Sequence, residues 1–194
     1  ALLLYTLVTL VIPAFEQERE ERGEASAWGL LWAVGAWVVV GLCAIGAVVA
    51  LWPQLPTALF GLDAARAEMM RHLVRIMSAG LALQGISALL TAVLQSQRKF
   101  AGPAAVGVAF NLGIILGLVI GGRTIEAAAW GMVAGASAQV LFQLPQLVGV
   151  LRRAPGRPRW RHPRLRSFAT LAIPVVAASL SQQINAFTDK LFAN

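Results

Sequence analysis

The stretch Phe100–Gly122, FAGPAAVGVAFNLGIILGLVIGG, decides the fold, because none of its residues is charged. An α-helix rises about 1.5 Å per residue and the hydrocarbon core of a bilayer is about 30 Å thick, so about 20 apolar residues cross it. Uncharged stretches of similar length are Ala27–Pro53, Ile76–Gln97, Ala127–Leu151 and Ser167–Thr188, with Ala1–Phe15 as a shorter one. We therefore expect an all-α fold, a polytopic transmembrane helix bundle of about six spans.

The composition of the chain agrees with a membrane location. Hydrophobic residues make up 58% of it and charged residues 13%, with a mean hydropathy of +0.70. Soluble domains carry about 25% charged residues. The sole cysteine, Cys43, lies inside an apolar stretch, so the sequence predicts neither a disulfide framework nor a cysteine-based metal site.

Motifs of catalysis do not occur in the sequence. It has no P-loop, no Gly-x-Ser-x-Gly, no HExxH and no paired carboxylates on one helix. It therefore predicts a transporter-like membrane protein that is not an enzyme and uses no metal or cofactor. The chain also opens inside an apolar run, without the basic region or cleavage site of a signal peptide. We expect it to be an internal segment of a longer protein.

The charges of the connections predict the topology. Connections Glu16–Ser26, Gln97–Phe100 and Arg152–Arg166 hold eleven Lys and Arg residues, against four in Gln54–Arg75 and Gly121–Glu126. Basic residues mark the cytoplasmic side, and acidic residues contribute little to this rule. We therefore place the first, third and fifth connections in the cytoplasm and both ends of the chain on the opposite side.

Glycines at four-residue spacing indicate close helix packing. Residues four apart share one helix face, and small residues allow two backbones in a membrane to approach. One such set lies in Phe100–Gly122 and another in Ala127–Leu151, and the predicted packing residues are Gly113, Gly117, Gly121, Gly131 and Gly135. A sliding surface for a moving helix is the alternative interpretation.

Polar residues inside the spans are the candidates for a substrate cavity, because each needs a partner or water. The segment Ser181–Asn185 spreads polar side chains around a helical turn, so lipid cannot surround it on every face. For any single amide the favoured interpretation is interhelical hydrogen bonding, and for Asp189-Lys190 it is an interfacial ion pair; lining of a cavity is the alternative in both cases. The cavity candidates are Asn111, Gln139, Gln182, Gln183, Asn185, Asp189 and Lys190.

The connection Arg152–Arg166 carries seven arginines. A run of this kind binds nucleic acid or anionic lipid. We interpret it as a cytoplasmic membrane anchor and expect no nucleic-acid partner, because each basic residue near an anionic surface gains about 1 kcal/mol. His72 and His162 stand alone, without metal-ligand spacing, and receive no role.

A set of motifs in a fixed order resembles the MurJ/MviN family of lipid II flippases, within the multidrug/oligosaccharidyl-lipid/polysaccharide exporter superfamily. The similarity covers nearly the whole chain. The motifs are Val11–Phe15, Leu89–Gln95 followed by Arg98–Phe100 and Pro103-Ala104, then Asn111, Ala129–Gly131, Gln139, Gln143–Leu147, Ile173-Pro174, Gln183–Asn185 and Asp189–Ala193.

The resemblance implies the second half of helix two through helix seven of a fourteen-helix, two-lobe exporter. Residues 1–151 would belong to the N-terminal lobe, 152–166 would be the cytoplasmic linker between lobes, and 167–194 would be the first helix of the C-terminal lobe. This order gives the same topology as the charges of the connections.

The function that the resemblance implies is transport of a lipid-linked peptidoglycan precursor by alternating access, in cell-wall biosynthesis at the bacterial inner membrane. Its implied partners are the lipid-linked oligosaccharide substrate, membrane lipids and cell-wall synthesis proteins. The family's cavity arginines come from helices one, two and eight, and no arginine stands at such a position here. A related polysaccharide or drug exporter and a non-transporting membrane scaffold remain the alternatives.

Overall fold

A computed structural model describes the protein at residues 2–53, 64–152, 154–155, 160–170, 172–174, 177–178, 181 and 185, with side chains from Thr9 onward. Five helices account for most of the described chain, and no strand occurs in these ranges. They are α1 (Leu2–Arg22), α2 (Glu24–Leu51), α3 (Ala64–Ser96), α4 (Ala101–Ile120) and α5 (Ile125–Leu151). A further helical stretch begins at residues 165–170. The predicted all-α membrane bundle is confirmed.

The helix α3 lies at the centre of the bundle. It packs against α1 and α2 on one side and against α5 on the other, while α4 packs chiefly against α5. The core between α1, α2 and α3 includes Phe15 and Trp28, whose rings meet edge to face with centroids 5.9 Å apart. Such an aromatic pair adds about 1 kcal/mol beyond the area that it buries.

Four of the helices are long and apolar enough to cross a membrane, namely α2, α3, α4 and α5. They correspond to the four predicted spans from Ala27–Pro53 to Ala127–Leu151, with ends that differ by one to three residues at most positions. The fifth predicted full span, Ser167–Thr188, lies largely outside the described residues.

The first connection is shorter than its charged composition predicts. The charged residues from Glu16 to Arg22 continue α1, and α2 begins at Glu24. Gly23 alone makes the turn, with φ at 85°, a conformation that favours glycine. Ion pairs at helical spacing, Arg19 to Glu16 at 2.6 Å among them, stabilise the helix beyond the apolar part.

The second connection also proves to be partly helical. Residues 64–75 form the first turns of α3, within the segment that composition predicts as the second connection. Arg71 pairs with Glu68 at 2.5 Å, one turn away. The 33 residues of α3 give it a length of about 50 Å, well beyond the hydrocarbon core.

Candidate functional site

The glycines of α4 and α5 lie directly against each other. A Cβ atom on Gly117 would approach Gly131 Cα to 2.5 Å and the Ala127 carbonyl oxygen to 2.7 Å. On the facing helix, a Cβ atom on Gly135 would lie 2.6 Å from the carbonyl oxygen of Phe110. Real Cβ contacts are essentially never this short, so α4 and α5 touch backbone to backbone and no side chain fits between them.

A buried amide joins α3 to α5. The side chain of Gln143 is fully buried, and its Oε1 accepts a hydrogen bond from the Thr91 hydroxyl at 3.1 Å. Its Nε2 donates to the Ser87 hydroxyl at 2.8 Å and to the Gln139 carbonyl at 3.1 Å. Both ends of the amide are therefore satisfied inside the bundle, as a polar group in a membrane requires.

Two more amides of α5 bind the backbone of α4. Gln139, only 3% exposed, donates from Nε2 to the Val106 carbonyl at 3.0 Å. Gln146 accepts from the Gly102 amide at 3.1 Å through its Oε1. Together with Gln143, they place three hydrogen-bonding amides along one face of α5, and all three join helices.

A buried carboxylate lies at the end of the bundle where α1 meets α2. Glu18 is fully enclosed, and its Oε1 accepts a hydrogen bond from the Ser26 hydroxyl at 2.6 Å. The connection that follows α5 supplies two basic groups: His162 Nε2 lies 3.7 Å from Oε1 and Arg164 Nε lies 3.1 Å from Oε2. An enclosed carboxylate is destabilising unless charged and hydrogen-bonding partners offset its loss of hydration.

The surroundings hold the two basic residues in place. The Arg164 backbone amide donates to His162 Nδ1 at 3.3 Å, and the Arg164 guanidinium also pairs with Glu21. The His162 ring lies over α2 at Gly29, where a Cβ atom would be 3.4 Å from its Cδ2. We call the group Glu18, Ser26, His162 and Arg164 the linker anchor. It fixes the connection after α5 to the α1–α2 turn.

The connections alternate between the two ends of the bundle. The linker anchor brings the first connection to the fifth, and one cavity is lined by Glu24, the turn at residues 97–100, and Gly149 of α5. At the other end His72 Nε2 lies 3.1 Å from Glu126 Oε1. The basic connections thus share one end, as the charge count requires.

The predicted cavity residues fall into different places. Asn111 is exposed on α4 and donates only to the Gly107 carbonyl of its own helix, at 2.9 Å. Asn185 is helical and exposed. Gln139 is enclosed between α4 and α5. The remaining candidates lie outside the described residues: Gln182, Gln183, Asp189 and Lys190.

Sequence reasoning missed the linker anchor. Glu18 is one of five glutamates in a charged segment, and nothing in its spacing separates it from Glu20, which is exposed. Ser26 sits eight residues further on, and His162 occurs in a run of arginines that favours a lipid-facing interpretation. The one signal in the sequence is His162 itself. Its side chain can be uncharged, whereas the arginines around it favour binding to anions.

The helices, their apolar lengths and the buried amide contacts define a multi-pass α-helical membrane protein. Its basic connection after α5 is bound back onto the first hairpin. The family model described as lipid II flippase MurJ matches residues 6–194, and the chain belongs to that family. It is thus a membrane transport protein of the lipid II flippases, which act in peptidoglycan synthesis. No curated protein matches the chain.

Proposed function

We propose that the chain contributes to lipid II transport by alternating access in the bacterial inner membrane. The substrate is the undecaprenyl-pyrophosphate-linked disaccharide-pentapeptide. Residues 1–151 form part of the N-terminal lobe, 152–166 the cytoplasmic linker, and 167–194 the first helix of the C-terminal lobe. Support comes from the family membership and from the placement of the basic connections at one end of the bundle.

The linker anchor is the observation that carries the mechanism. In alternating access the two lobes move relative to each other, and a connection that is attached to one lobe can carry that movement to it. Glu18 supplies the point of attachment on α1, because it is enclosed and pairs with Arg164 at 3.1 Å. Helical residues 165–170 begin directly after Arg164. A movement of that helix is therefore transmitted to the α1–α2 turn through the ion pair of Arg164 and Glu18.

The α3–α4–α5 group acts as one rigid unit in this mechanism. Gln143 binds α3 to α5, and the facing glycines leave no space between α4 and α5. Gln139 belongs to this packing, since its Nε2 is engaged with Val106. Among the described candidates, Asn111 and Asn185 are the exposed amides, and we assign to them the border of the aqueous path.

Growth of cells depleted of their own flippase tests the proposal. The full-length protein that contains this chain should restore growth and the appearance of lipid II on the outer face of the membrane. Glu18→Gln, which removes the charge that Arg164 faces, should reduce this outward transport while the protein still inserts. Glu20→Gln alters an exposed glutamate of the same helix and should behave like wild type. Full transport by Glu18→Gln would show that the anchor plays no part in the movement.

A further inference from the structure

A polar cavity and an apolar groove meet at Trp28. The polar cavity, of about 550 Å³, lies at the basic end of the bundle and is lined by Glu24, Arg98, Lys99 and Gln146 among others. The apolar groove, of about 380 Å³, lies between α2, α3 and α5. Trp28 lines both, so the two spaces share one wall, and together they offer a ligand a polar part and an apolar part.

Two cations in the polar cavity have no anionic partner among the described residues. Arg98 and Lys99 are both exposed, and neither forms an ion pair with a carboxylate of the described chain. Glu24, which lines the same cavity, is likewise exposed and unpaired within the same ranges. Gln146 uses its Oε1 for the Gly102 amide, so its Nε2 is the atom able to donate into the cavity.

The backbone at Arg98 suggests that its side chain serves a purpose. Its φ is 56°, and its amide donates to the Gln95 carbonyl at 2.9 Å while the Lys99 amide donates to the Leu94 carbonyl at 2.8 Å. These two bonds form the motif that ends α3, and glycine is the usual residue at the position with positive φ. An arginine is strained there, as Arg123 is with φ at 62° at the end of α4, so the strain accompanies the charge argument and does not replace it.

The groove has the dimensions of one acyl chain in one leaflet. It runs along α2 from Trp28 to Val40, a distance of about 18 Å for a helix, and one leaflet contributes about half of a core of about 30 Å. Leu89, Leu147 and Leu151 supply much of the opposite wall. Since α2 begins at Glu24, the groove points from the polar cavity toward the middle of the membrane.

We propose that this site binds a membrane phospholipid whose headgroup carries both a phosphate and a primary ammonium. The phosphate lies against Arg98 and Lys99, the ammonium lies against Glu24, and one acyl chain fills the groove. The carboxylate distinguishes this occupant from a purely anionic lipid, which Glu24 would repel. A cavity of about 550 Å³ is in the range of a small-molecule site, below the size of a disaccharide-pentapeptide.

Titration of the delipidated full-length protein in detergent tests the proposal, by native mass spectrometry and thermal unfolding. The probes are phosphatidylethanolamine, phosphatidylglycerol and phosphatidylcholine with identical acyl chains, together with soluble glycerophosphoethanolamine. Phosphatidylethanolamine should bind most tightly and raise the melting temperature, while the chain-free headgroup should bind at least about tenfold more weakly. Equal binding of the soluble headgroup would assign the site to free phosphate compounds and overturn the proposal.

The variants separate binding from folding. Arg98→Gly removes the cation and relieves the backbone strain, so it should bind about tenfold more weakly while its lipid-free stability is unchanged or higher. Glu24→Gln should abolish the preference for phosphatidylethanolamine over phosphatidylglycerol. Arg123→Gly is the matched control, because Arg123 is exposed with φ at 62° at the opposite end of the bundle. Wild-type affinity in Arg98→Gly, or displacement of the phospholipid by lipid II, would rule out the proposed occupant.

Discussion

The carboxylate of Glu18 and the guanidinium of Arg164 lie 3.1 Å apart, Oε2 to Nε, and join the first helix to the connection that follows the fifth. Glu18 also accepts from Ser26, so the carboxylate is held from both sides. A charge enclosed in this way is costly unless its partners stay in place. The contact therefore forms only when the connection after α5 lies against the α1–α2 turn.

Removing one partner of this pair should destabilise the protein. Arg164→Ala leaves Glu18 enclosed with less compensation, and the loss of a partner from a buried ion pair costs about 3–5 kcal/mol. Thermal unfolding in detergent should show a lower melting temperature. Arg161→Ala is the control, because Arg161 is an exposed arginine of the same segment. Equal melting of the two variants would mean that the pair contributes nothing to stability.

The glycine contact between α4 and α5 should not tolerate a methyl group. Gly117→Ala would place a Cβ atom 2.5 Å from Gly131 Cα, so the helices must separate and the melting temperature should fall. Gly107→Ala in the same helix meets no atom within 4 Å. That control should be neutral or more stable by up to about 1 kcal/mol, because alanine favours the helix. A stable Gly117→Ala variant would contradict the backbone contact.

The amide of Gln143 should matter more for stability than an exposed amide. Gln143→Leu leaves the hydroxyls of Ser87 and Thr91 without their partner and should cost about 1–2 kcal/mol. Asn111→Leu removes a bond only to its own helix and should be close to neutral. Unfolding in detergent measures both. If Asn111→Leu proved the more damaging, the assignment of Gln143 as a packing residue would be wrong.

The two exposed asparagines should affect transport and leave stability unchanged. If Asn111 and Asn185 border the aqueous path, leucine at either position should slow flippase-dependent growth at normal protein levels. The polar side chain offers a site for water, and leucine removes it. Normal growth of both variants, at equal expression, would place these residues outside the path.

The membrane orientation follows from the basic end of the bundle and can be measured by cysteine labelling. In a background with Cys43→Ala, Gly156→Cys should react only after the cytoplasmic side is opened, and Arg123→Cys should react in intact cells. The first position lies in the connection with seven arginines, and the second lies in a connection with a single basic residue. Labelling of Gly156→Cys from outside intact cells would reverse the topology.

Sequence alone predicts the helices well, since uncharged runs of about 20 residues have few alternatives. It places helix ends poorly wherever charged residues continue a helix beyond the membrane. Glu16–Arg22 and residues 64–75 are read as connections from composition, yet pairs such as Arg71 and Glu68 keep them helical. Charge marks where a span leaves the hydrocarbon, and a helix does not have to end there.

The candidate site shows a different limit of sequence reasoning. From the sequence, Gln139 and Gln143 cannot be told apart from glutamines that line a cavity. Only their hydrogen bonds to Val106 and Ser87 on neighbouring helices show that they join helices. The pair of Glu18 and His162 depends on two segments that fold onto each other after many intervening residues. No local sequence pattern predicts that contact.

The length of α3 gives the protein a dependence on bilayer thickness. Its apolar part is continuous with the charged turns at residues 64–75, so the helix can shift along the membrane normal only by drawing Arg66, Glu68 or Arg71 toward hydrocarbon. Neighbouring helices such as α4, with 20 residues, match the core without surplus. Hydrophobic mismatch costs fractions of a kcal/mol per Å. A thicker membrane would therefore strain the short helices first, while α3 is still long enough to span the hydrocarbon core.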